Sequence, residues 1–205
     1  MTQLRDAPAT SRYPRMTYEE YLDDPSIEEH TEWVDGEVVP MMSISRAHAE
    51  LTMFLSRLLG DYIEERKIGV LLRDPFQMKT GPQLNGRAPD LQLVRTENLG
   101  RLGEKNLEGP ADLVIEVISP GTEHTDRGDK FVEYERGGVP EYWILDPLRE
   151  IAEFFVRDEQ GLFRGGEVSA DGMFESPALD GLKVNVEWFW ERPPVGPLLV
   201  ELGIR

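Results

Sequence analysis

Cysteine is absent from the 205-residue chain. That excludes disulfides and thiolate metal sites, and it fits a reducing compartment. Long apolar runs are absent too. No stretch approaches the roughly 20 residues needed to cross a bilayer. No apolar run follows Arg5 as a secretory signal would require. These absences predict a cytoplasmic protein with no membrane partner. Positive charge is scarce: 22 Lys and Arg stand against 39 Asp and Glu, for a net charge of −17. Such a balance excludes a broad basic surface that coats nucleic acid. It leaves room for a local basic cleft, or for a metal that offsets repulsion. Most of the acid serves solubility.

What is present reads as one globular domain. Hydrophobic residues make up 40% and charged residues 30%, an ordinary mixture with enough length for a well-buried core. Residues 1–15, with Pro8 and Pro14, are expected to form a flexible N-terminal arm. Residues 16–192 are expected to form the single domain, and the proline-rich 193–205 a C-terminal tail. Thr17-Tyr-Glu-Glu20 is a capping box that should start a short helix ending near Asp24. Asp35-Gly36 between β-prone arms marks a hairpin, with Glu32 and Glu37 flanking its turn. Ser45 should cap a long helix to about Lys67. Leu51, Phe54, Leu55, Leu58, Tyr62 and Ile63 line one face of it, and His48 sits in its first turn.

Strands are expected over Ile68 to Leu72, Phe76 to Lys79 and Ala88 to Val94, and a polar loop over Thr96 to Gly109. Pro110 to Pro120 frames the most apolar stretch, Leu113 to Ile118, which reads as a buried central strand. A helix follows over Thr122 to Arg136, then a strand over Glu141 to Leu145. Strand, helix and strand form the expected parallel unit. Further hairpin strands follow. The class is α/β (α+β): a mixed β-sheet flanked by helices, with extra β-hairpins.

Glu116 interrupts the central strand. A carboxylate there is costly unless a metal, a cation or hydrogen bonds compensate it. Asp90 lies in a neighbouring strand pattern. An Asp and a Glu on adjacent strands provide the oxygen ligands that Mg²⁺ or Mn²⁺ prefers, and the Val117 carbonyl could add another. A metal so held can position water against a phosphodiester. Glu37, Asp90, Glu116 and Lys130 are the charged positions a sheet could gather. Asp126, Lys130 and Tyr134 share one helix face. Lys130 either reaches Glu116 or forms a surface pair with Asp126 worth a few tenths of a kcal/mol.

Pro89-Asp90, Asp112-Leu-Val-Ile-Glu-Val-Ile-Ser-Pro120 and the Asp35-Gly-Glu37 hairpin together resemble the PD-(D/E)XK nuclease superfamily. The likeness is closest to its Uma-type branch of restriction endonucleases, and it extends through His48, Asp126, Lys130, Tyr134, Glu141-Tyr-Trp143 and Asp146-Pro147. It implies a restriction-endonuclease-like core and a Mg²⁺-dependent endonuclease acting on nucleic acid, DNA above RNA. It implies Asp90 and Glu116 as catalytic metal ligands, Glu37 as a third acidic ligand, and His48 as a base or phosphate contact. One position departs from the pattern. The lysine expected two residues after Glu116 is Ile118, and Lys130 is the candidate replacement. Gln92, Ser119 and Tyr134 are expected behind the ligands, and Arg87 and Arg127 near phosphate. Trp143, Phe154, Phe155, Trp188 and Trp190 are expected in the core or at a homodimer surface. The missing in-strand lysine and the net charge keep open a non-catalytic binding protein that retains the nuclease fold.

Overall fold

Local signals begin the fold. The structure is a computed structural model and describes residues 12–204. The Thr17 hydroxyl accepts from the Glu20 amide at 3.2 Å, and the Glu20 carboxylate accepts from the Thr17 amide at 2.7 Å. This reciprocal cap starts α1 (Tyr18–Asp23). Strands β1 (Thr31–Val34) and β2 (Glu37–Pro40) pair in antiparallel fashion. Asp35 and Gly36 between them have φ of 50° and 84°, the doubly left-handed turn that Asp-Gly tolerates. Ser45 accepts from the His48 amide and opens α2 (Arg46–Arg66), which ends on left-handed Lys67.

The remaining elements are β3 (Gly69–Arg73), β4 (Gln77–Lys79), β5 (Gly86–Arg87), β6 (Leu91–Arg95), β7 (Asn106–Glu108) and β8 (Leu113–Val117), followed by α3 (Lys130–Gly137). Then come β9 (Glu141–Asp146), β10 (Ile151–Arg157), β11 (Phe163–Gly165), β12 (Met173–Ser176), β13 (Leu182–Asn185), α4 (Glu187–Glu191) and α5 (Val195–Glu201). A six-stranded mixed sheet has the order β11-β10-β9-β8-β6-β3, and a five-stranded sheet the order β2-β1-β5-β4-β7. β8 lies inside the larger sheet, antiparallel to β6 and parallel to β9. The parallel connection runs through α3, as expected for a crossover.

Alternation along β8 divides its side chains between two cores. Leu113, Ile115 and Val117 pack with α2, α4 and α5. Val114 joins Ile118, Tyr134, Tyr142 and Val94 on the opposite face. Each large apolar side chain buried in this way contributes about 1.5–3 kcal/mol. Glu116 has the parity of Val114, so the fold commits it to the α3 side. Trp143, Phe154 and Trp188 belong to the first core, and Phe155 packs against the second. On β9, the buried Glu141 carboxylate accepts from Trp143 Nε1, Ser176 Oγ and the Ala178 amide, which ties the β12 end to the sheet.

The C-terminal stretch expected as a tail carries α5, which buries Val195, Leu198 and Leu199 against the α2 core. Pro193 and Pro194 precede the helix, where a missing amide costs nothing. The apolar positions recur at helical spacing behind them. At the other end, Arg12 pairs with Glu28, and Tyr13 donates to the Ser26 carbonyl. The rest of the expected arm, residues 1–11, lies outside the described residues. The polar loop after β6 also holds a 3₁₀ turn over Thr96–Arg101 and the short β7.

Candidate active site

The β8 backbone anchors the first half of the site. Asp90 immediately precedes β6 and accepts from the Val117 amide at 2.6 Å. Its other oxygen lies 3.1 Å from His48 Nε2. His48 Nδ1 lies 2.8 Å from the Val117 carbonyl and 3.1 Å from Ser119 Oγ. Burial works against a charged imidazole here, but Asp90 and the Val117 carbonyl outweigh it and raise the pKa. Nε2 faces a carboxylate and Nδ1 a carbonyl, so both ring nitrogens are placed to donate.

The second half forms around Glu116. A π-turn over Thr125–Asp129 runs directly into α3 and leaves Asp126 and Lys130 buried. Turns of this kind recur at functional sites. Lys130 Nζ lies 2.9 Å from Glu116, 3.2 Å from Asp126 and 3.6 Å from Glu32. The Tyr134 hydroxyl donates to Glu116 at 2.8 Å. Glu32 in turn accepts from Arg87 at 2.9 Å and from the Ala88 amide at 3.2 Å. Arg87 also forms two bonds to Glu133, of 2.7 and 2.8 Å.

Burial pushes the Glu116 carboxyl well above its usual range. Asp126, Asp90 and Glu32 push the same way, and Lys130 opposes them. Burial also disfavours the Lys130 ammonium, but Glu116, Glu32 and Asp126 more than compensate and hold it charged. At Glu32, burial is outweighed by Lys130 and Arg87, and the carboxyl stays low. The cluster holds five carboxylates, namely Glu32, Asp90, Glu116, Asp126 and Glu133, against the cations His48, Arg87 and Lys130. Negative charge exceeds positive even with His48 protonated. All of these residues except Glu133 line a cavity of about 390 Å³, whose lining also includes the exposed Val39, Met42 and Ile44.

The sequence pattern of the Uma2 family, described as "Putative restriction endonuclease", matches residues 18–187. This chain belongs to the Uma2 family. Two curated proteins of Synechocystis sp., both uncharacterized, are similar to it. One, slr1290, is 28% identical over 137 residues, 65% of this chain and 69% of that protein. The other, sll1609, is 26% identical over 151 residues, 72% of this chain and 85% of that protein. The fold is similar to the crystal structure of a "putative nuclease belonging to DUF820" from Anabaena variabilis. The TM-score is 0.67 with 16% identity, covering 86% of this chain and 98% of that one. The mixed sheet flanked by helices is thus a nuclease-like fold.

In this Uma2 chain the residues named from sequence do not all converge. Asp90, Glu116, Lys130 and His48 line one cavity. The reach of Lys130 to Glu116 excludes the solvated surface pair with Asp126, because all three side chains are buried. Glu37 stays apart: its carboxylate is half-exposed and bonded to Arg15 at 2.9 Å. Glu32 takes the inner place. It pairs with Val39 and Glu37 with Val34 across the hairpin, which puts Glu37 about 7 Å further toward the turn on the same face. The spacing of two between Glu32 and Val34 was the available signal, and only the anchoring of the hairpin gave it meaning. Asp126, read as a helix partner, also belongs to the floor. Ser119 and Tyr134 stand behind His48 and Glu116. Gln92 does not: its amide donates to the Phe76 carbonyl. Arg87 is engaged by Glu32 and Glu133. Arg127 bonds Glu123 and Glu153. Ile118 is buried in the second core.

The donor set suits a hard divalent cation in its chemistry: carboxylate oxygens, a backbone carbonyl and unbalanced negative charge. The Val117 carbonyl and Asp90 are engaged by His48, and Glu116 by Lys130 and Tyr134. In this arrangement no group of three or more His, Asp or Glu among the described residues is disposed to hold a metal ion. Among those residues, no helix is long and apolar enough to cross a membrane.

The contrast between the hairpin acids is testable. Glu37→Gln should shift stability by less than about 0.5 kcal/mol, as exposed ion pairs do. Glu32→Gln takes charge from a buried pair and should cost about 3 kcal/mol or more. Urea denaturation of the two variants beside the wild type reads the difference.

Proposed function

We propose that the protein is a divalent-metal-dependent nuclease that hydrolyses phosphodiester bonds, with Mg²⁺ (or Mn²⁺) as its metal and DNA as its polymer. The observation that carries this reading is the 2.9 Å approach of Lys130 to Glu116 beside Asp90. It supplies an amine at the carboxylate pair although position 118 is isoleucine. Asp90 and Glu116 would hold the metal with the Val117 carbonyl, and Glu32 and Asp126 would supply further negative charge. When bound, the metal supplies Lewis acidity and lowers the pKa of water.

The side chains divide the remaining work by their charge states. Lys130 is held protonated by its carboxylates, so it acts as a hydrogen-bond donor and not as a general base. It can orient water or stabilise charge developing on the phosphoryl oxygens. His48 faces Asp90 and the Val117 carbonyl with its two ring nitrogens, so it would orient the groups that hold the metal, and it stands close enough to the site to contact a phosphate oxygen. Tyr134, held neutral by burial and by Glu116, fixes the Glu116 carboxylate. Arg87 positions Glu32 and α3 without facing phosphate. A second copy would let two strands be cut together, so a homodimer is compatible with the same proposal.

The test is cleavage of single-stranded DNA, double-stranded DNA and RNA with Mg²⁺, Mn²⁺ or EDTA. Metal-dependent cutting of DNA, abolished by EDTA, is the expected result. Metal binding without cutting would count against Lys130 and the choice of substrate, and no metal binding at all would favour the non-catalytic binding or interaction protein, a reading that Ile118 in place of lysine supports.

A further inference from the structure

The active-site cavity has an ionic floor and a divided mouth. One lip is apolar, with Val39, Pro40, Met42 and Ile44, and the other is polar, with Thr122, Thr125 and Asp129 beside Gly121. Val39, Met42 and Ile44 are 37%, 59% and 57% exposed, unlike the many large aliphatic side chains that the two cores bury completely. Apolar groups left in water around a polar cavity mark a binding surface. Across the mouth stands Gly121, with φ of 103°, and the Met42 methyl lies 3.3 Å from the point where a Cβ of residue 121 would stand. The apolar rim and the loop after β8 therefore meet as two lips, and glycine leaves Met42 its place between them.

We propose that this rim receives an unpaired nucleobase next to the scissile phosphate, so that the substrate is single-stranded or locally opened nucleic acid. The inference rests on the nuclease reading of the floor. On that reading the floor takes a phosphate through its metal, and the ligand must carry an apolar surface beside that phosphate for the rim. A nucleotide does. In a duplex the base faces are buried in the stack and only their edges are available, whereas an unpaired base offers a whole face. The methionine thioether makes favourable contacts with aromatic rings, so Met42 can cover the face of an unpaired base. The net charge of −17 points the same way. A protein this acidic gains little affinity from phosphate contacts, so base contacts must supply a larger share.

The experiment is fluorescence anisotropy with three labelled probes of equal length: a single-stranded DNA, its duplex, and an abasic strand. Ca²⁺ replaces Mg²⁺ to hold cleavage off. The wild type should bind the base-bearing strand about three- to tenfold tighter than the abasic strand, the scale of a methionine–ring contact. Met42→Ala combined with Ile44→Ala should remove that preference and leave the abasic affinity unchanged, which also shows that the variant is folded. Equal binding of base-bearing and abasic strands, a preference for duplex, or a variant that keeps the wild-type preference would overturn the inference and leave the nuclease reading intact. If no polymer is bound or cut, both fail.

Discussion

Glu116→Gln is expected to lower the proposed metal-dependent cleavage by about 10³-fold or more, the rate equivalent of losing several kcal/mol of metal-derived stabilisation. The substitution preserves shape and removes one charge. Lys130 keeps Asp126 and Glu32 as partners, so the fold has little reason to fail. Stability should move the other way at neutral pH. The folded-state pKa of Glu116 is raised above its ordinary value of 4.5. A raised acid binds more protons in the folded than in the unfolded chain, so its contribution is fully present below 4.5 and is lost as pH rises through the folded pKa. Urea denaturation at pH 5 and pH 8 should show the wild type losing more stability than Glu116→Gln over that interval. A carboxylate that weakens the fold while supporting the reaction is a functional group, because a purely structural one would be replaced at no loss. Wild-type cleavage by the variant would sink the site assignment.

Lys130→Met produces the largest loss of stability at neutral pH, about 3–5 kcal/mol, the cost of leaving buried charge without its partner. Methionine fills the space of the lysine stem but leaves Glu116, Asp126 and Glu32 with no ammonium between them. The deficit should shrink as pH falls, because protonation of the carboxylates relieves the same repulsion. Lys130→Met combined with Glu116→Gln should cost less than the sum of the two separately, since the second change removes one of the charges that the first exposes. Cleavage should fall about 10²–10³-fold in Lys130→Met, the effect of removing one preorganised donor from a reaction centre. Denaturation curves and single-turnover cleavage, measured on the same preparations, separate the structural from the catalytic share. A stability change below 1 kcal/mol would mean that the carboxylates find other partners and that Lys130 is no keystone of the floor.

The sequence by itself determined whatever depends on a few neighbouring residues. Thr17 and Glu20 define a cap, Asp35-Gly36 a hairpin turn, and the apolar spacing from Leu51 to Ile63 a helix face. Leu113 to Ile118 define a buried strand, and its alternation already commits Glu116 to one side of the sheet. The four-residue spacing of Asp126, Lys130 and Tyr134 places them on one face of a helix. The tertiary structure alone decided which of two hairpin acids enters the site. Glu32 and Glu37 lie on the same face of one hairpin, and the choice between them is made where β1 docks on β5 and Arg87 reaches Glu32. It also decided that Arg87 bonds Glu32 and Glu133, that His48 closes on Asp90 and Val117, and that the proline-flanked C-terminus packs as α5. Each of these is a contact between residues far apart in the chain. Their partners are brought together only when the sheets and helices pack, so no local pattern of charge or hydropathy specifies them.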